Sequence, residues 1–225
     1  MKIFQTNFHG DMNIGLLART SDKFCLVGNF VMDKTVKKME EYLDVDVIKT
    51  TIANTDLIGI FCAMNSNGML LPKIVNEREL DFFAKLKKEF DLNVVVLPSK
   101  FTALGNLIAA NDKGAIISNV FSKVSKAKIE DCLDIEAEYS TVAKQIVVGS
   151  LSVVTNKGCL LHRDADENEM KKIEEILKVK VDIGTANFGS PFVGSCVTAN
   201  SKGAVVGEQT TGPEIVRLAE TLNLM

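Results

Sequence analysis

Leu57-Ile58-Gly59-Ile60-Phe61-Cys62-Ala63-Met64-Asn65-Ser66-Asn67-Gly68-Met69-Leu70-Leu71 carries two marks that return along the chain at a fixed interval. The first is its leading glycine. Gly15, Gly59, Gly105, Gly149 and Gly194 stand 44, 46, 44 and 45 residues apart, and counting from Gly194 through Met225 and on to Gly15 gives 46 again. The second is the glycine that ends the polar turn: Gly68, Gly114, Gly158 and Gly203 follow at 46, 44 and 45, with Phe24 standing 44 before Gly68. Two registers in step predict a closed fivefold repeat whose last unit is shared by the two termini, an arrangement that needs no capping repeats.

The units so defined run approximately over 21–64, 65–110, 111–155 and 156–199, with a closing unit of 200–225 plus 1–20, all within one domain of residues 1–225. Around the second mark the chain reads Asn65-Ser66-Asn67-Gly68, Asn111-Asp112-Lys113-Gly114, Thr155-Asn156-Lys157-Gly158 and Asn200-Ser201-Lys202-Gly203, with Thr20-Ser21-Asp22-Lys23 in the first unit. These predict hairpin turns, because Asn and Gly accept positive φ at little cost. Three apolar residues follow each turn, Cys25-Leu26-Val27 and Ala115-Ile116-Ile117 among them, and such unalternating runs suit strands buried on both faces.

Midway through each unit the apolar spacing turns helical. Asn76 with Glu79 forms a capping box before Leu80, Phe83, Leu86 and Phe90; Asp166 with Glu169 does the same before Met170, Ile173 and Leu177; Thr211 and Glu214 bracket Pro213 before Ile215, Leu218 and Leu222. Asp33 is the expected cap of the first helix, with Val36, Met39 and Leu43 inward. In the third unit Ser125 is the expected cap and the helix is expected to be shorter. A strand candidate follows every helix: 45–48, 92–97, 135–138, 179–183 and, for the closing unit, 2–6. The fold class expected is α/β, a ring of five units about a pseudo-fivefold axis with the helices outside. A WD-type propeller has a similar period but four strands and no helix per blade.

The first-mark glycines are expected inside strands, where glycine signals close backbone approach. Five copies would let five strands converge near the axis. The residues just after them, Leu16, Ile60, Asn106, Ser150 and Ser195, are equivalent by repeat but chemically varied, and are expected together at one mouth of the ring.

With 225 residues, 46% hydrophobic and 24% charged, the chain can bury a large core. It begins without a long apolar signal segment, and the apolar run Ile146–Val154 is too short to cross a bilayer, so the cytoplasm is the expected location. Five cysteines, odd in number and without a Cys-x-x-Cys pair, argue for free thiols rather than a disulfide framework or zinc site. A net charge of −3 gives no general attraction to nucleic acid, and the lysine clusters at 37–38, 85–88 and 171–172 alternate with glutamates as on solvated helix faces. An active site would need converging nucleophile, base and acid. His162 takes a strand-end position filled elsewhere by Gly28, Pro72, Ser118 and Gly207; His9 lies in a loop; Cys62 and Cys196, placed on the glycine-bearing strands, are the least excluded nucleophiles. No phosphate loop, metal-ligand spacing or carboxylate pair stands out, so no catalytic residue, metal or cofactor is expected.

Phe101-Thr102-Ala103-Leu104-Gly105-Asn106, Val142-Ala143-Lys144-Gln145-Ile146-Val147-Val148-Gly149-Ser150, and Gly184-Thr185-Ala186-Asn187 with Gly189-Ser190 resemble the archaeal and eukaryotic translation initiation factor 6 family. Asn65-Ser66-Asn67-Gly68-Met69-Leu70-Leu71-Pro72 and Thr210-Thr211 with Glu214 are similar too. The resemblance covers the whole chain, looks archaeal because no eukaryotic-type tail follows the last repeat, and implies a pentein fold. It further implies a non-enzymatic factor that binds the large ribosomal subunit where the small subunit would join and excludes it sterically. The implied contact is chiefly with a ribosomal protein beside the sarcin–ricin loop, with limited rRNA contact, no membrane, no DNA, and the factor acting as a monomer. Asn106 and Ser150 fall in matching stretches of the contact face; Ile60, Leu16 and Ser195 join it by repeat equivalence. The alternative is a pentein-fold enzyme acting on guanidino groups, an amidinotransferase or deiminase, which would need Cys, His and acidic residues in the central cavity.

Overall fold

The computed structural model describes residues 2–225, a mixed α/β chain whose described strands form five sheets of three strands each. In the first, Ala18–Thr20 runs antiparallel to Phe24–Gly28, which runs parallel to Asp46–Thr50. The pattern recurs in Ala63–Met64, Gly68–Pro72 and Asn93–Leu97, in Ile108–Ala110, Ala115–Ile117 and Ala137–Tyr139, and in Ser152–Val154, Gly158–His162 and Lys180–Gly184. The fifth sheet joins Val197–Ala199 and Ala204–Gly207 to Ile3–Thr6 from the start of the chain. A parallel step requires a crossover, which a helix supplies in the first four sheets: α1 (Asp33–Leu43), α2 (Glu77–Glu89), α3 (Lys123–Leu133) and α4 (Glu167–Leu177). In the fifth, α5 (Gly212–Thr221) follows the central strand in the same way.

The capping boxes Asn76/Glu79 and Asp166/Glu169 form as the sequence predicts, and the structure adds a third at Thr211/Glu214. Two expected caps need correction. Met32 is the N-cap of α1, and Asp33 is its first helical residue, an acid in the first turn. In α3 the cap is Ser122, whose Oγ accepts from the Ser125 N–H at 3.1 Å. Ser125 stands at the third helical position, which Glu79 occupies in α2. Nor is α3 shorter: it has 11 residues, as α1 and α4 do. Ser122 lies one repeat beyond Asn76, so the period itself marks the cap.

The unalternating central strands are buried because their two faces serve two cores. Cys25 and Val27 pack with Met39 and Leu43 of α1, whereas Leu26 between them joins Met69, Leu71 and Phe83 of the second unit. Leu70 likewise joins the core of Ile117 and Ile129, Ile116 that of Leu161 and Ile173, and Leu160 that of Val206 and Leu218. Val205 then enters the core of Val27 and Met39, so the series returns to its start. Successive strand residues point to opposite faces, and here both faces are apolar interiors.

The second set of glycines does something other than the sequence suggests. Gly68, Gly114, Gly158 and Gly203 have no positive φ. A Cβ on each would instead strike a carbonyl at the end of a neighbouring helix: Cys132 of α3, Ile176 of α4, Thr221 of α5 and Tyr42 of α1. Phe24 in the same place packs against Phe90 just past α2, the rings tilted by 33° with centroids 4.6 Å apart. The hairpins also tie adjacent units: Asn65 Nδ2 donates to the Asn111 and Leu133 carbonyls at 3.1 and 2.8 Å, and Asn111 and Asn200 repeat the bridge. Lys23 and Lys202 place their ammonium groups on the carbonyls of Phe90 and Asp44, the residues that cap the C-terminal ends of α2 and α1, where the dipole favours a cation.

A candidate docking face and the central cavity

The first-mark glycines were expected inside strands, and the structure corrects this. Gly15, Gly59, Gly105 and Gly194 lie in four-residue helical turns, Ile14–Leu17, Ile58–Phe61, Leu104–Leu107 and Val193–Cys196, and Gly149 lies in a turn before Ser152–Val154. Close approach is nevertheless their reason. A Cβ on Gly59 would run into the Gly15 carbonyl, one on Gly105 into that of Gly59, one on Gly149 into that of Gly105, one on Gly194 into that of Gly149, and one on Gly15 into that of Gly194. The five turns touch in a closed series, backbone to backbone, with no room for a side chain.

One position further, Leu16, Ile60, Asn106 and Ser195 are half-buried and Ser150 is buried. Each of these residues donates its N–H three residues back, to Asn13, Leu57, Ala103, Val147 and Phe192, so the turns share one geometry. The Asn106 carbonyl accepts from Gly149 at 2.9 Å and the Ser150 carbonyl from Gly194 at 3.0 Å. Their main chains therefore belong to the glycine contacts. Among the described residues the Asn106 side-chain amide has no hydrogen-bond partner, which leaves both N–H donors and the oxygen available to an outside group.

Loops lead into these turns. In three of them the capping-box glutamate of the following helix also holds the loop: Glu79 accepts from Thr51 Oγ1 and the N–H groups of Ala53 and Asn54 at 2.7, 2.8 and 2.9 Å. Glu169 does so for Thr141, Ala143 and Lys144, and Glu214 for Thr185, Phe188 and Gly189. The loop residues pay in conformation, with φ of 55° and 57° at Ala53 and Asn54 and 47° and 60° at Asn187 and Phe188. Burial would raise the Glu79 and Glu214 carboxyls, but the hydrogen bonds they accept outweigh it and hold both below the ordinary range. These loops expose Phe188 (80%), Phe192 and Ile146, apolar surface that periodicity gave no means to find because loop residues do not follow the strand or helix pattern.

The innermost strands, Ala18–Thr20 and its four counterparts, enclose a cavity of about 30 Å³, enough for one or two waters. Arg19, Thr20, Ser152 and Thr198 supply its polar lining, and among the described residues no Cys, His, Asp or Glu lines it. All five cysteines are buried. Cys62 and Cys196 lie at the ends of helical turns rather than on glycine-bearing strands. Burial pushes the Cys25 and Cys62 thiols up to about 12 and Cys132 to about 11, and raises Cys159 and Cys196. Such thiols are protonated and unreactive near neutrality. His162 is buried, its Nδ1 accepting from the Asp164 N–H at 3.0 Å, and its ring meets Phe192 edge-on; His9 Nε2 pairs with the Phe30 carbonyl at 2.9 Å. Among the described residues, no group of three or more His, Cys, Asp or Glu is placed to hold a metal ion, and no helix is long and apolar enough to cross a membrane.

Residues 3–221 match the model of the eIF-6 family. The chain is 44% identical over 226 residues to translation initiation factor 6 of Methanocaldococcus jannaschii, 99% of either chain being covered. It is 38% identical over 227 residues to translation initiation factor 6 of Thermococcus onnurineus, with both chains covered in full, and 42% identical over 226 residues to that of Methanococcus maripaludis, again covering 99% of each.

Proposed function

The chain belongs to the eIF-6 family, and from that premise we propose that it binds the large ribosomal subunit on the face that meets the small subunit and blocks their association by occupying the space. It is a translation initiation factor of a non-enzymatic family, with archaeal relatives of the same name and length. The cavity composition weighs against the guanidino-group enzyme, whose cysteine, histidine and acids would have to line it. We take the five units, with the boundaries given above, to form one pentein ring with its helices outside. The closed series of glycine contacts and the closed series of shared cores support that reading.

The docking face in this proposal is the ring mouth bearing Asn106, with Ser150, Ile60, Ser195 and Leu16 around it. The observation that carries it is the Asn106 amide, set beside the glycine contacts without an internal partner. A rigid disk can bury a standard interface of about 1,600 Å² and still project far enough to exclude a particle. A chain of net charge −3 would meet a basic ribosomal protein near the sarcin–ricin loop by local complementarity, with little rRNA contact. The factor acts as a cytoplasmic monomer in this scheme.

The test joins two measurements. Added protein should hold separated subunits apart in a sucrose gradient, and tagged protein should retain large subunits. Asn106→Arg, which places a long cation where a short amide stood, should weaken retention at least about tenfold, or about 1.4 kcal/mol. Normal subunit joining at saturating protein sinks the function, whereas normal retention by a folded N106R protein sinks only the placement of the face.

A further inference from the structure

We propose that the cavity beside Arg19 binds a small inorganic monoanion, with chloride the fitting ion. The site comes from a break in the repeat. Arg19 stands where the other innermost strands carry Ala63, Ala109, Val153 and Thr198, so one guanidinium enters a space otherwise bordered by uncharged side chains. Its Nε donates to the Cys62 carbonyl at 3.1 Å, and its Nη2 to the Gly59 and Gly105 carbonyls, both at 2.9 Å. Among the described residues Nη1 has no partner. A guanidinium carries five N–H donors and keeps its charge in any protein, so two remain for an occupant of the cavity.

Arg163 and Arg217 each face a carboxylate, and Arg19 faces none among the described residues. The acids on the hairpin side are engaged with one another's neighbours: Asp112 accepts from Ser66 and Asn156, and Asp22 from Ser201 and Asn156. A cation out of bulk water, satisfied only by neutral carbonyls, leaves a net charge that a bound anion would offset through charge-assisted hydrogen bonds. Of the nearby hydroxyls, Ser152 is committed to the Val148 carbonyl at 2.7 Å. Thr20 Oγ1 donates to Cys25 Sγ at 3.1 Å, so the 2.8 Å hydrogen bond it shares with Thr198 takes the Thr198 proton, and the two free N–H groups of Arg19 Nη1 are left as the donors that face the cavity. Arg19 repels cations, and a cavity of about 30 Å³ rejects bulky organic anions. This inference stands apart from the ribosomal reading.

Crystals of the full chain equilibrated with sodium bromide should show an anomalous peak within hydrogen-bonding reach of Arg19. In solution, the thermal midpoint should rise by several degrees as chloride replaces gluconate at constant ionic strength. Arg19→Met should lose that dependence; should that change prevent folding, Arg19→Lys, which keeps the charge and removes the Nη1 donors, should weaken it. Equal midpoints for the wild-type chain in the two salts overturn the proposal, as does an equal chloride response in the variants or bromide found only elsewhere.

Discussion

At the level of single residues, the glycines of the two registers are required by contact and not by backbone angle. Gly59→Ala would drive a methyl group into the Gly15 carbonyl. It is expected to destabilise the protein by about 2–3 kcal/mol or more, because neither backbone can retreat without moving the rest of the series. Gly212→Ala is the contrast: beyond its chain neighbours nothing lies within 4 Å of its Cβ position, and the only penalty is the crowding that Pro213 imposes on the residue before it, so it should change stability by no more than about 1 kcal/mol. Urea unfolding of the two variants checks both, and equal stabilities would refute the contact argument. The sequence showed that these glycines mattered. It could not show why, since a positive-φ turn and a close approach leave the same letter.

At the level of elements, the capping-box glutamates join each helix start to the loop before it. Glu79 serves Asn76 and the strained pair Ala53 and Asn54 with one carboxylate. Glu79→Gln should lower stability by about 1–2 kcal/mol near pH 7, where the carboxylate accepts all these bonds. The folded carboxyl sits below its ordinary value, as does Glu214, so this stabilisation is present above about pH 4.5 and fades as pH falls through the depressed folded value. The gap between wild type and E79Q should therefore narrow as pH falls below about 4.5; a gap that stays unchanged down to the acid limit of folding would assign the effect to shape rather than charge. Ser122→Ala should cost α3 about 1 kcal/mol, and Ser125→Ala less, in thermal unfolding. The helices and boxes were legible in the sequence because they are local. The Ser122 cap was missed because two serines three residues apart both satisfy the local rule, and only the repeat register separates them.

At the level of the molecule, Ile3–Thr6 completes the sheet of Ala204–Gly207, and the Lys2 N–H donates to the Leu224 carbonyl at 3.3 Å. The two ends of the chain therefore meet. A circular permutant joined from Met225 to Met1 by a short Gly-Ser linker and opened between the exposed Lys73 and Ile74 is expected to fold cooperatively. It should lie within about 1–2 kcal/mol of the parent. Deleting residues 1–6 should be far worse, because it strips the partner from a buried strand and opens a sheet edge. A permutant that cannot fold would count against the closed arrangement.

By itself the sequence determined the repeat, the five helices with two of their capping boxes, the buried central strands and the pairing expected of the two ends. All of these follow from spacing along the chain. Tertiary structure alone decided that the first-mark glycines lie in helical turns, that the second set faces helix ends, that Asn106 keeps a free amide, and that Arg19 stands unpaired beside a cavity. Each depends on what a distant stretch of the chain places against the residue, at 40 residues or more in sequence, beyond the reach of any local pattern.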